Sequence, residues 1–211
     1  MSKCLFYGTI LAVFANVALA EPKPAVVQRP GQWTLEVRYD QPRQLVMPRA
    51  GSTPARFWYI ILTVTNRTGQ DVDFYPRCEL VTDTFQVVPS GANVPLLAYQ
   101  RIKERHQSRY PLLESLSSVG NRILQGEDNA KDIVMVWPDF DLRAESFKIF
   151  FTGLSNETAV VNHPVAVDPT TGQPVQVYLR KTLELDYAFR GDAALRDSVE
   201  VVYKDRNWVM R

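Results

Sequence analysis

The sequence predicts a mainly β fold: an antiparallel β-sandwich into which a short helical segment is inserted. Three observations carry this prediction. Several segments alternate apolar and polar residues with a period of two, short turns separate them, and one region near the middle of the chain changes to helical spacing. A closed β-barrel is the alternative, because periodicity does not separate the two architectures.

The first twenty residues have the layout of a secretory signal peptide. Lys3 supplies the positive start, residues 5–17 are mostly apolar, and residues 18–20 read Ala-Leu-Ala, a cleavage signal. A membrane anchor is the alternative, but the apolar run is short against the roughly 20 residues that cross a bilayer. We therefore expect residues 1–20 to be removed and the mature chain to be periplasmic or extracellular, with no transmembrane segment.

Composition after cleavage limits the classes of function. The whole chain has 24 basic and 23 acidic residues, and cleavage removes Lys3, so the mature chain is formally neutral. This balance argues against a nucleic-acid partner, which would select a strong basic excess. Cleavage also removes Cys4, which leaves Cys78 without a partner for an intramolecular disulfide. We expect Cys78 to be a buried, apolar residue in a strand.

Residues 21–32 contain three prolines and are predicted to form an extended leader, and residues 33–211 a single domain. The first strand signal is the alternation from Trp33 to Tyr39. The next run, residues 57–64, is apolar on both faces and predicts a central strand covered on both sides, followed by a turn at residues 66–69. Later strands are expected at 72–75, 78–88, 133–137, 147–151, 175–189 and 199–203.

The segment from Val175 to Phe189 is unusually long for a strand. Apart from Lys181, its odd-numbered positions are apolar, and fifteen residues would extend over about 50 Å. We expect a bend, a bulge or a change of partner strand near Arg180 and Lys181.

Residues 89–131 lose the period of two. Tyr99, Ile102 and His106 have helical spacing, and a second helical pattern runs from Leu112 to Val119. The sequence therefore predicts one or two short helices in this insertion, which is longer than an ordinary connection and so is a candidate for function.

The stretch YIILTVTNRT followed by QDVDFYPRCELVTD carries a family resemblance. It resembles the small immunoglobulin-like β-sandwich domains of bacterial exported and envelope proteins, in which a strand of the form apolar-x-Val-x-Asn leads to a polar turn and then to Phe-x-Pro. The similarity covers about Trp33 to Val88. It implies an exported sandwich domain that serves in binding or assembly.

Candidate catalytic groups are few. His106 lies among basic residues, His163 lies in a turn-like stretch, and neither has the serine and carboxylate arrangement of a catalytic triad. Residues 153–157 begin like a G-x-S-x-G nucleophile elbow but end in Glu157, and the predicted fold lacks the strand-to-helix turn that the elbow needs. We therefore expect no catalytic site and no cofactor.

Metal binding is also weakly indicated. Two histidines and one cysteine do not easily make a tetrahedral zinc site. Asp139, Asp141 and Glu145 resemble the start of an acidic calcium loop, but the central glycine is missing, and a turn between strands is the favoured explanation of these residues. The sequence leaves calcium binding at these three carboxylates open.

The basic cluster Arg101, Lys103, Arg105 and Arg109 is the most unusual polar stretch. A solvated helix face is one interpretation, and a contact for an acidic partner or an anionic envelope surface is the other. Trp33, Trp58 and Trp137 are expected in the core, and Trp208 is the one tryptophan expected to be exposed.

The first functional hypothesis is a non-catalytic module for protein interaction or structure in the cell envelope, whose partner is another envelope or secreted protein. The alternative is a carbohydrate- or small-ligand-binding domain, which requires an exposed aromatic ring near the strand ends. A carboxylate-dependent hydrolase is the third hypothesis.

Overall fold

The computed structural model describes residues 25–27, 31–49, 51–192, 195 and 199–211. The predicted signal peptide and much of the predicted leader lie outside the described residues. The helix is α1 (Leu96–His106). The strands are β1 (Ala25–Val27), β2 (Glu36–Tyr39), β3 (Arg43–Arg49), β4 (Ser52–Asn66), β5 (Val72–Asp73), β6 (Arg77–Thr82), β7 (Val87–Pro89), β8 (Glu114–Ser115), β9 (Arg122–Ile123), β10 (Gly126–Pro138), β11 (Ser146–Thr152), β12 (Thr158–Val167), β13 (Pro174–Arg190) and β14 (Glu200–Met210).

The prediction of a mainly β fold is confirmed, and two main sheets pack face to face. One sheet has the order β1-β12-β13-β11-β6-β7, with β14 also paired to β13. The other has the order β2-β4-β10-β8, with β3 also paired to β4, and β5 and β9 form a small third sheet. None of these sheets closes on itself within the described residues, so the barrel alternative is not supported.

The core between the two main sheets is rich in aromatic rings. Trp58 of β4 faces Phe147 of β11, with ring centroids 6.3 Å apart, and Phe147 in turn stacks on Tyr187 of β13 at 5.4 Å. Burial of such large apolar side chains is the main favourable contribution to folding in a domain of this kind. Cys78 lies in the same core, as predicted, and burial raises the pKa of its thiol.

The expected central strand is β4, and it is covered on both faces. Trp58, Ile60 and Leu62 point into the core between the sheets, whereas Tyr59 and Ile61 point to the opposite face. Helix α1 covers that opposite face, and it contributes Ala98 and Ile102 to a second apolar cluster. The continuous apolar run in the sequence thus reflects a strand between two packed layers.

The long strand β13 changes partner where the sequence predicts it. Residues up to Arg180 pair with β12, and residues from Thr182 pair with β11 on the same side. Lys181, at the change, keeps its ammonium group out of the apolar layer by binding Glu157 at 2.6 Å. This is why a lysine is tolerated among the apolar positions of the strand.

Three details differ from the predictions. Residues 112–119 do not form a second helix, because Leu113 packs in the outer cluster while Val119 packs between the sheets, which draws the segment across the sheet edge. The strand β10 begins at Gly126, so the inserted region ends before residue 131. The predicted strand from Trp33 to Tyr39 is interrupted. Thr34 forms an isolated bridge with Ser155, and only the later part, β2, pairs with β4.

Candidate functional site

The predicted basic cluster lies on and just after α1, on the outer face of the smaller main sheet. Arg101, Lys103, Arg105 and Arg109 are all exposed. Arg101 pairs with Glu104 of the same helix, with Nη1 and Oε2 3.4 Å apart. Lys103 extends toward solvent, and Arg105 and Arg109 turn toward the sheet. The last turn of the helix carries basic side chains, and their positive charge interacts favourably with the partial negative charge at the helix C-terminus.

Arg105 and Arg109 both make internal contacts. Nη1 of Arg105 donates to the carbonyl oxygen of Gln44 at 3.3 Å, and Nη2 of Arg109 lies 3.1 Å from Oδ1 of Asp40. Removing these charges would therefore disturb the docking of the helix as well as any partner contact. Lys103 and Arg101 are the members of the cluster that test partner binding without this complication.

His106 is buried beneath this basic turn rather than placed for catalysis. Its Nε2 lies 3.0 Å from the hydroxyl of Tyr59. Burial lowers the pKa of His106, and the positive charge of Arg43 lowers it further, so the imidazole is favoured in its neutral form. We conclude that His106 helps to anchor the helix on β4.

The three acidic residues of the suggested calcium loop point to different partners. Asp139 accepts from the indole Nε1 of Trp58 at 2.9 Å, and it also pairs with Arg56 at 3.1 Å. Asp141 pairs with Arg143, which lowers the pKa of its carboxyl group. Within the described part of the chain, no group of three or more metal-binding side chains is close enough to hold an ion. The predicted turn between strands is present here.

Residues 153–157, which resemble part of a nucleophile elbow, instead join β11 to β12 and bond to the segment that leads into β2. The hydroxyl of Ser155 donates to the carbonyl oxygen of Trp33 at 2.8 Å, and Thr34 donates to Glu157 at 2.9 Å. Glu157 also binds Lys181, and this hydrogen bond is the main reason that its pKa is lowered. Ser155 is buried and has no histidine partner among these contacts.

A long hairpin extends from this junction, and we call residues 158–180 the β-arm. Consecutive residues 162–165 are exposed, so both faces of β12 meet solvent. Val165 is 82% exposed and Tyr178 is 61% exposed. His163 is exposed, as the sequence suggests, and its Nδ1 accepts the backbone N–H groups of Val165 and Ala166 at an irregular point of the hairpin.

The β-arm has an open edge along β13. Arg180 exchanges two backbone hydrogen bonds with Arg211, at 2.8 and 3.1 Å, and no described strand pairs with this side of β13 before that point. Because alternate residues face the same edge of a strand, the backbone groups of Gln176 and Tyr178 also point to this open side. From Thr158 to Leu179, the chain has one charged side chain, Asp168, which caps its own turn.

A cavity of about 500 Å³ lies at the base of the β-arm. It is lined by β5 and the residues around it, by residues 153–158, by Trp33 and by Arg180. Tyr75 is 64% exposed at this cavity, whereas Trp58 and Trp137 are buried as expected. Trp33 and Trp208 are both partly buried against the core, so Trp208 is not the exposed tryptophan that the sequence predicts. The exposed aromatic ring at this cavity is that of Tyr75.

No helix in the described part of the chain has the length and apolar character needed to cross a membrane. Comparison of the chain with protein-family models, with curated proteins and with solved structures gave no match.

Proposed function

We propose that this protein is an exported, non-catalytic β-sandwich module of the immunoglobulin-like type that binds another envelope or secreted protein. The observation that carries the proposal is the open edge of the β-arm. An extended segment of the partner would extend the sheet by pairing with the backbone groups of Gln176 and Tyr178 on the side of β13 where no described strand pairs with them. This is the mode of recognition known as strand addition.

The composition of the β-arm supports this mode. Proteins usually protect a free strand edge with charged residues, especially lysine, to prevent unwanted pairing. The β-arm has no lysine or arginine before Arg180, although both of its faces carry exposed valines. Beyond the three residues that pair with β1, the β-arm is a two-stranded hairpin. Such a hairpin is only marginally stable by itself, so a further strand would stabilise it.

A backbone-level variant tests the proposal. Proline at position 176 removes the N–H group that points to the open edge and leaves the pairing of β13 with β12 in place. We expect Gln176→Pro in the chain from residue 21 to abolish capture of the partner after crosslinking in the native envelope, whereas Gln176→Ala should retain it. The captured protein must then bind the native form when both are purified. Equal capture by the two variants would refute the role of the edge.

Two further experiments separate the alternatives. Lys103→Glu combined with Arg101→Glu tests the contact that the sequence predicts on α1, because neither substitution disturbs the contacts of α1 with the sheet. Sedimentation of the purified chain tests whether the edge pairs with itself. A dimer that Gln176→Pro abolishes would replace the proposed partner with a second copy of the chain.

A further inference from the structure

The cavity at the base of the β-arm contains side chains that no part of the proposed strand addition uses. Gln70, Asp73, Tyr75 and Arg180 all line it. Within the described part of the chain, none of these four side chains has a hydrogen-bond or ion-pair partner. Four exposed polar side chains without a protein partner among the described residues line this one concave site, where a ligand can reach them.

The other charged groups at the cavity are already occupied. Asp71 pairs with Arg122 at 3.5 Å and accepts the backbone N–H of Gln125 at 2.9 Å. Glu157 is neutralised by Lys181. The available carboxylate is therefore that of Asp73, and the available cation is the guanidinium group of Arg180.

The walls of the cavity are rigid before any ligand arrives. The side chain of Asn156 accepts the N–H of Trp33 at 2.8 Å and donates to the carbonyl oxygen of Gly31 at 3.0 Å. Gly153 is packed so closely on the backbone of Tyr75 and Pro76 that a Cβ atom would not fit. A preformed site reduces the entropy that a ligand must lose on binding.

We infer that this cavity is a saccharide-binding site. A sugar ring has an apolar face of C–H groups that can lie on the exposed ring of Tyr75. Its hydroxyl groups both donate and accept hydrogen bonds, so one uncharged ligand satisfies the acceptor Asp73, the donor Arg180 and the amide of Gln70. A zwitterion such as a free amino acid would use the two charges and leave the ring and the amide without contacts.

The experiment is a titration of the chain from residue 21 with chitotetraose, cellotetraose and mannotetraose, followed by calorimetry and by ligand-observed NMR. We expect at least one of these saccharides to bind. Tyr75→Ala and Asp73→Asn should each weaken its affinity about tenfold, which corresponds to one aromatic contact or one charge-assisted hydrogen bond. Both residues are exposed, so the unfolding temperature should stay unchanged.

Matched controls use residues of the same type outside the cavity. Phe85→Ala removes a ring that is 91% exposed, and Asp128→Asn removes an exposed carboxylate of β10. Both controls should bind the saccharide as the native chain does. Absence of binding to all three probes, equal loss in the controls, or binding of glycine and diglycine in place of the saccharides would overturn the inference. Strand addition is tested independently, because Tyr75 and Asp73 lie outside the open edge.

Discussion

Replacing Gly153 with alanine should destabilise the protein through a contact that only glycine permits. Gly153 has φ +95°, and a Cβ atom there would lie 2.6 Å from the carbonyl oxygen of Tyr75 and 3.0 Å from Cα of Pro76. Both neighbours are backbone atoms, which cannot move aside as a flexible side chain can. The substitution therefore imposes an unfavourable backbone conformation and a steric clash at once.

The two effects can be given magnitudes. A left-handed backbone costs an L-residue roughly 1–2 kcal/mol, and forcing an extra carbon into a close-packed site costs about 1–3 kcal/mol. We expect Gly153→Ala to lower the free energy of unfolding by about 2–5 kcal/mol, the sum of the two costs. With a urea dependence of about 2 kcal/mol per molar for a domain of this size, the unfolding midpoint should fall by roughly 1–2.5 M.

Gly69→Ala is the matched control for this prediction. Gly69 has φ +87°, close to that of Gly153, but a Cβ atom there would meet nothing within 4 Å. Its cost should be the conformational part alone, about 1–2 kcal/mol. If urea unfolding followed by tryptophan fluorescence gave equal midpoints for the two variants, the close approach of Gly153 to Tyr75 would be refuted, and with it the rigid wall of the cavity.

Three further predictions concern titratable groups. Because burial lowers the pKa of His106 below its ordinary 6.5, the unfolded chain binds a proton there that the folded chain does not. Stability should therefore fall as the pH drops below about 6.5, and His106→Gln should flatten this slope in urea titrations. Because the pKa of Glu157 is lower in the folded chain than its ordinary 4.5, the ionised carboxylate contributes stability above pH 4.5. This contribution is lost as the pH falls below that value. Glu157→Gln should cost about 1–3 kcal/mol at pH 7, because it leaves Lys181 without its carboxylate partner, and should remove this acid dependence. Cys78 should react with a thiol reagent only after denaturant is added, since rapid labelling of the native protein would contradict its burial.

Local patterns predicted the parts of the fold that depend on one strand and its two faces. The alternation around Trp58 and Tyr59 correctly assigned the two side chains to opposite layers, because the period of two in a strand is a property of the backbone. The isolated Lys181 correctly marked the point where β13 changes partner. A charged residue in an apolar row needs a partner, and that requirement is visible in the sequence.

The segment from Leu112 to Val119 was predicted incorrectly for a reason that the sequence does not contain. Its apolar residues have helical spacing, yet Leu113 and Val119 pack in two different apolar clusters on opposite faces of one sheet. Tertiary packing therefore overrode the local preference. The β-arm was also missed, although the near absence of charge from Thr158 to Leu179 was a signal that a search for unprotected strands could have found.

Backbone periodicity was enough to predict that the chain is mainly β, that one central strand is buried on both faces, and that a helix is inserted near residue 100. The sequence also predicts export. Which side chains meet became visible only in the folded structure. Arg180 is distant in the chain from Asp73 and Tyr75, yet all three line one cavity. Gln176 likewise lies outside the part of β13 that pairs with β14, and strand pairing over such distances is a property of the folded molecule.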